Sequence, residues 1–166
     1  MHPLLKALAQ RSWVVELADQ APAKPSCIAE RYPSLQADVV DVLSQATRCS
    51  SRDEQSWLLT FQAFQASPLQ GFRWNQYEMM ALDAATTEGE RDAISRFWDE
   101  HFPFLLSVRA DYDYLAVRLS DGGIVHGCAP EWELPSVLVP SFSAFVERVT
   151  VGVASGELQY PLSVLL

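Results

Sequence analysis

Two residues in the second half of a predicted strand are of types that could do thiol chemistry. His126 and Cys128 are two positions apart, so their side chains point to the same side of the sheet. A thiolate beside an imidazole is the minimum requirement for thiol nucleophilic catalysis. Positions i and i+2 of a strand lie about 7 Å apart at Cα, which is long for that contact, and no orienting residue is evident, although Asp113 could join the pair. A small hydrolase or thiol enzyme is therefore an alternative hypothesis.

Paired carboxylates occur twice in loops near predicted strand ends, as Asp111 with Asp113 and as Glu131 with Glu133. Such pairs can do acid-base chemistry or bind a divalent cation, although charges in loops are more commonly solvated. His101 lies on the apolar side of a predicted helix, with no Cys or second His at ligand spacing. We therefore predict no catalytic residue, no metal site and no cofactor.

Composition indicates a globular protein with a packed core, because 49% of the 166 residues are apolar and 20% are charged. The 21 acidic residues outnumber the 12 Lys and Arg, which gives a net charge of −9. This field repels phosphate backbones and anionic lipid head groups, and it attracts basic proteins. We expect neither a nucleic-acid partner nor a membrane partner.

The cysteines and the amino-terminal residues bear on the compartment. Cys27, Cys49 and Cys128 are odd in number and far apart, which is typical of reduced thiols. Lys6 and Arg11 interrupt the apolar residues near the amino terminus, so the run of about 7–15 apolar residues typical of a signal peptide is not formed. No stretch approaches the roughly 20 apolar residues of a membrane span. These features predict a cytoplasmic protein.

The fold class follows from the periodicity of the apolar residues. Helical spacing predicts helices near 5–17, 35–46, 75–82, 87–101 and 141–149. Alternation predicts strands at 104–108, 112–119 and 123–128, and Gly122 and Gly123 can form the tight turn of an antiparallel hairpin between the last two. We predict one α+β domain over residues 1–166, with a mostly antiparallel sheet and helices at its edges and on one face.

Several local assignments stay open at this point. Trp13 to Val15 suits a strand as well as a helix, and residues 57–61 are ambiguous between the two. Residues 1–50 are predicted as a less well-defined helical part. In the central strand, the side that carries Leu115 is predicted to face the core, and the side that carries Tyr112 and Tyr114 is predicted to be amphipathic.

From Trp57 onward, the order of short motifs resembles that of the SUKH superfamily, a group of yeast cell-wall-synthesis regulators and bacterial relatives. The likeness covers about two-thirds of the chain, and residues 1–50 match poorly. The motifs that carry it are Trp57-Leu-Leu-Thr-Phe61, Phe72-Arg-Trp74-Asn75, Phe97-Trp98, Pro103-Phe104-Leu105, Tyr112-Asp113-Tyr114-Leu115-Ala116-Val117, Asp121-Gly122, Pro130-Glu131-Trp132-Glu133 and Ser141-Phe142.

The resemblance implies an α+β fold with a mostly antiparallel sheet, and a protein without catalytic activity. Bacterial members are regarded mostly as immunity proteins, which bind and neutralise toxins in the cytoplasm. The acidic balance of this chain would suit a basic toxin domain. A regulatory scaffold that binds another intracellular partner is a second alternative, which differs only in its partner.

A partner-binding surface is expected where aromatic side chains and carboxylates occur together. Aromatic side chains bury a large area at modest entropic cost, and carboxylates accept directional hydrogen bonds from Arg or Lys. An equally good interpretation places both tyrosines under a helix. The residues assigned to this surface are Asp111, Tyr112, Asp113, Tyr114, Glu131, Trp132 and Glu133.

Overall fold

A computed structural model describes residues 1–65 and 72–166. Its central feature is a seven-stranded sheet in which the strands lie in chain order and every neighbouring pair is antiparallel. Each inner strand therefore pairs with the strands before and after it in the sequence, and each edge strand pairs with one neighbour. The strands are β1 (Val14–Leu17), β2 (Ala46–Ser50), β3 (Ser56–Leu58), β4 (His101–Ser107), β5 (Asp113–Arg118), β6 (Ile124–Gly127) and β7 (Ser136–Val139).

Eight helices accompany the sheet in the described residues, and the predicted α+β class with a mostly antiparallel sheet is confirmed. Within residues 1–65 and 72–166, no helix has both the length and the apolar character needed to cross a membrane. The helices are α1 (Pro3–Gln10), α2 (Ser26–Arg31), α3 (Ala37–Ser44), α4 (Phe61–Gln65), α5 (Gln76–Ala84), α6 (Glu88–Glu100), α7 (Phe142–Ser155) and α8 (Leu162–Leu165).

The central strand β5 is buried on both faces. Tyr114 and Leu115 are consecutive, so they point to opposite sides of the sheet, and both are 0% exposed. The ring of Tyr114 contacts Trp98 of α6 and Tyr77 of α5. The prediction that the Tyr114 side is amphipathic is therefore wrong, because α5 and α6 cover it. The interpretation that places this tyrosine under a helix is the correct one.

The predicted hairpin between β5 and β6 is confirmed. Gly122 adopts φ +76°, a conformation that L side chains rarely adopt, and the Gly123 N–H donates to the Asp121 carboxylate at 3.0 Å. A Cβ atom on Gly122 would come within 1.9 Å of the Gln36 side chain. The turn therefore requires glycine for its backbone, whereas the end of the flexible Gln36 side chain could move aside.

The amino-terminal part is helical only in places. The first predicted helix ends at Gln10, and Val14–Leu17 instead forms β1, paired with β2. Ala46, predicted to close a helix, begins β2. Short apolar runs fit the residue spacing of a strand as well as that of a helix. The pairing of β1 with β2, which lies about 30 residues away in the sequence, therefore determines that both segments are strands. One apolar core includes residues from Leu4 to Leu166.

The boundary between α6 and β4 also differs from its prediction. Thr87 and Glu90 form the predicted capping box at the start of α6. The helix ends at Glu100, however, and His101 opens β4 by pairing with Arg118. Pro103 lies within the strand, beside a register shift, where its missing N–H is tolerated.

Candidate partner-binding site

The residues that sequence spacing marked for chemistry lie at one end of β5 and β6. His126 Nε2 is 2.7 Å from Asp113 Oδ1, and both side chains are buried. The Tyr160 ring packs against the imidazole edge-on, with centroids 5.8 Å apart. Asp113 thus holds the histidine in one orientation. Burying either polar side chain without a hydrogen-bond partner would cost free energy, and the contact between the two avoids that cost.

Cys128 is half-buried, two residues beyond His126, and its environment disfavours the thiolate. Burial raises the pKa of the thiol, and the negative charges of Asp113, Asp111 and Glu131 raise it further. Within the part of the chain that the structure describes, no hydrogen bond joins this thiol to His126. A nucleophilic cysteine needs the opposite arrangement, in which a neighbouring base or cation lowers the pKa.

Tyr114 and Trp132 connect the sheet to the loop that follows β6. The Tyr114 hydroxyl donates to the Trp132 carbonyl at 2.6 Å, and the Trp132 indole N–H donates to the Tyr112 carbonyl at 3.0 Å. The Trp132 ring also stacks on Tyr77, with centroids 5.4 Å apart and planes 9° apart. Trp132 is only 6% exposed. Tyr114 and Trp132 therefore position the loop; Tyr114 is fully buried, and Trp132 keeps only a small accessible fraction of its surface.

The remaining predicted residues divide by exposure. Asp111, Tyr112 and Glu131 are exposed, Glu133 is half-buried, and Asp113 is buried with His126. Tyr112 adopts φ +55°, a left-handed conformation that is uncommon for a bulky residue, and its side chain is 42% exposed. The structure therefore leaves four of the seven predicted residues accessible in the loops beside β5 and β6.

The negative charge of the protein is concentrated in residues 78–133, which we call the acidic segment. It contains twelve of the 21 acidic residues and four of the 12 Lys and Arg, so it carries −8 of the net −9. Most of its carboxylates, including Asp111, Glu131 and Glu133, have no salt bridge within the described residues. The pairs that do form are Arg31 with Glu78 and Asp99, Arg118 with Asp121, and His126 with Asp113.

A cavity of about 660 Å³ opens within the acidic segment, and we call it the Trp132 groove. Its walls come from the second half of α5, the first half of α6 and the loop after β6. The surfaces are mainly apolar, and they are contributed by residues such as Met80, Ala84, Ala93, Ile94 and Trp132. Among the residues that the structure describes, no Lys or Arg lines this cavity.

Glu133 places a carboxylate at the edge of the Trp132 groove. Its Oε1 atom is buried and has no hydrogen-bond partner among the residues that the structure describes. The other carboxylate at the groove, that of Glu90, is already used at the start of α6, where it accepts hydrogen bonds from Thr86 and Thr87. Glu133 is therefore the acceptor left open at this groove.

The paired carboxylates do not assemble into a metal site. Across residues 1–65 and 72–166, no group of three or more His, Cys, Asp or Glu could hold a metal ion. His101 is also used structurally, because its Nδ1 lies 2.8 Å from the Phe97 carbonyl and its ring stacks on Phe97.

Nothing in the sequence indicates the Trp132 groove. Ala84 and Ala93 are exposed on their helices. In a sequence, alanines that line a groove look the same as alanines on an ordinary solvated helix face. Trp132 was predicted as part of the partner-binding surface, but it is nearly buried and forms one wall of the groove. Its place in a groove wall depends on α5 and α6 lying beside it.

The site belongs to an α+β protein with a seven-stranded antiparallel sheet and an acidic, partly apolar surface beside β5 and β6. No family model, no curated protein and no solved structure matches the chain. The resemblance to the SUKH superfamily therefore stays a prediction, and a functional proposal depends on the site itself.

Proposed function

We propose that this is a non-enzymatic, cytoplasmic protein of the immunity type, which neutralises a toxin by binding a basic region of it with the acidic segment. The observation that carries the proposal is the concentration of −8 of the net −9 in residues 78–133. Unpaired carboxylates on an exposed surface raise the rate of encounter with a basic protein and lower the rate of encounter with acidic proteins. They contribute little to the stability of the free protein.

Tyr112 supports the same proposal. A tyrosine in the left-handed region costs on the order of 1 kcal/mol, and such strain is often found where a surface is functional. Here the strained backbone holds an aromatic ring that is 42% exposed, beside the carboxylates of Asp111 and Glu131. Exposed aromatic side chains flanked by charges are typical of binding hot spots.

The immunity role comes from the resemblance to the SUKH superfamily, whose bacterial members are regarded mostly as toxin-binding proteins. A regulatory scaffold would use the same surface for another intracellular partner. The identity of the partner separates these two hypotheses.

The thiol-enzyme alternative is favoured by one observation, the contact between His126 and Asp113 at 2.7 Å. Two observations oppose it: the raised pKa of the Cys128 thiol and the lack of a described hydrogen bond between that thiol and His126. Replacing Cys128 by Ser distinguishes the hypotheses, because a binding protein keeps its affinity whereas a thiol enzyme loses turnover.

The proposal is tested by a pull-down of the tagged full chain at low and at high salt, with mass spectrometry of the recovered proteins. We expect one stoichiometric basic partner whose recovery falls as salt rises, because screening weakens exposed charge pairs. Adding that partner and this protein together to a growth or toxicity assay then tests neutralisation. A partner recovered equally at both salt concentrations, or no partner at all, would overturn the proposal.

A further inference from the structure

We infer that the Trp132 groove takes an apolar side chain from a basic segment of the partner, and that a Lys or Arg next to that side chain pairs with Glu133. The inference rests on the proposed binding function and adds the place and the chemistry of the contact.

The groove is large enough to take an inserted apolar side chain. Its volume of about 660 Å³ lies within the range of about 300–1,000 Å³ that is usual for ligand sites. Ala84 and Ala93 leave open the space that larger side chains would fill, while Met80, Ile94 and the Trp132 ring provide the apolar contacts. An aliphatic or aromatic side chain would remove this surface from water, which is favourable.

The charge of the groove selects a cationic neighbour for that side chain. The Glu133 Oε1 atom is buried without a partner among the described residues, and an unpaired buried oxygen is costly until a donor or a cation compensates it. An ammonium or guanidinium group would supply a charge-assisted hydrogen bond at this point. The carboxylate of Glu90 is engaged in the helix cap, so it does not compete for that group.

Anionic ligands are disfavoured at the same site. The lining includes Glu90 and Glu133 and no Lys or Arg, and all of its residues belong to the acidic segment. A phosphate or carboxylate ligand would meet repulsion with no compensating cation. A basic, apolar protein segment is the occupant that matches both the surface and the charge.

The first test uses a short synthetic peptide that alternates Lys and Leu, with a second peptide of equal charge in which Ser replaces Leu. The full chain is labelled with fluorotryptophan, which gives one ¹⁹F signal for each of the five tryptophans, and Trp132→Phe identifies the relevant one. We expect the Lys-Leu peptide to shift the Trp132 signal and to bind at least about tenfold more tightly than the Lys-Ser peptide. Equal binding of the two peptides, or a Trp132 signal that does not move, would overturn the inference.

The second test fills the groove. Ala93→Trp places a large ring in the cavity from an exposed helical position, and Ala154→Trp makes the same change at an exposed position of α7 outside the groove. Affinity for the Lys-Leu peptide should fall about tenfold in Ala93→Trp and stay unchanged in Ala154→Trp. Circular dichroism checks that both variants are folded, and equal affinity in both would contradict the groove assignment.

Glu133→Gln separates a binding role from a structural one. The substitution keeps the shape of the side chain and removes the charge, so affinity for the Lys-Leu peptide should fall while the midpoint of thermal unfolding is kept or raised. A structural Glu133 would show the reverse pattern, a lower midpoint with unchanged affinity.

The two proposals fail in different ways. A pull-down partner that binds Ala93→Trp as tightly as the wild type overturns the groove and leaves the binding function intact. If no partner is recovered, the proposed function fails, and the peptide comparison decides by itself whether the groove takes a basic, apolar segment.

Discussion

The imidazole of His126 and the carboxylate of Asp113 meet at 2.7 Å, with side chains that are only 8% and 7% exposed. The pair joins β5 to β6 just below the exposed loops of the candidate binding surface. The contact fixes the histidine without presenting it to solvent. It therefore stabilises the edge of the candidate binding surface and is not itself exposed there.

Replacing Asp113 by Ala should lower the free energy of unfolding by about 1–3 kcal/mol, because His126 then loses a buried hydrogen-bond partner. The matched control is Asp111→Ala, which removes an exposed carboxylate and should change stability by less than about 0.5 kcal/mol. Urea denaturation followed by tryptophan fluorescence measures both. Equal effects of the two substitutions would show that the His126 contact is unimportant for stability.

The Cys128 thiol should react slowly with a disulfide reagent at neutral pH, because burial and the nearby carboxylates raise its pKa. Asp111→Lys combined with Glu131→Lys should speed the reaction, since two of the charges that disfavour the thiolate are reversed. The rate is followed by mass spectrometry of the Cys128 peptide. A wild-type thiol that reacts faster than free cysteine would instead favour the thiol-enzyme hypothesis.

Tyr114→Phe should cost about 1–2 kcal/mol of stability, because the hydroxyl donates to the Trp132 carbonyl at 2.6 Å in a buried setting. Tyr112→Phe is the control, since that side chain is 42% exposed, and it should change the free energy of unfolding by less than about 0.5 kcal/mol. Chemical denaturation compares the two variants. A larger loss in Tyr112→Phe would mean that the roles assigned to these tyrosines are reversed.

His101 should make the protein less stable in mild acid. Burial lowers its pKa, and the hydrogen bond with the Phe97 carbonyl opposes this only in part. A group with a depressed folded pKa binds more protons when unfolded, so stability is lost as pH falls below the unfolded value of about 6.5. His2, whose pKa burial also lowers, contributes with the same sign.

This pH dependence is measured as the thermal midpoint between about pH 7 and about pH 5.5, a range above most carboxylate titrations. His101→Gln should show a smaller loss over the same range than the wild type. An identical loss in both proteins would assign the effect to other groups.

The fold was predictable from the sequence where the signal is local. Gly122 marks the hairpin because its turn needs positive φ at that position, and Thr87 with Glu90 marks a helix start through a cap that both residues complete. Where pairing with a segment distant in the sequence determines the secondary structure, the local pattern was insufficient. Val14–Leu17 becomes a strand through pairing with β2, and His101 leaves its helix by pairing with Arg118.

The candidate site also contains some features that the sequence predicts and some that it does not. The exposed loop carboxylates of Asp111 and Glu131 follow from their positions next to strand ends. The burial of Trp132 does not, because its indole N–H meets a carbonyl 20 residues away and its ring meets Tyr77 from another helix. The groove beside it exists only once α5, α6 and the loop after β6 are packed together.

The central claim is that the acidic segment binds a basic partner, and calorimetric titration of the recovered partner tests it most directly. Asp111→Lys with Glu131→Lys is compared with Glu147→Lys and Glu157→Lys, two exposed positions outside the acidic segment with the same total charge change. The account predicts at least about a tenfold loss of affinity in the first pair and little change in the second. Equal affinities for the two double variants would contradict it.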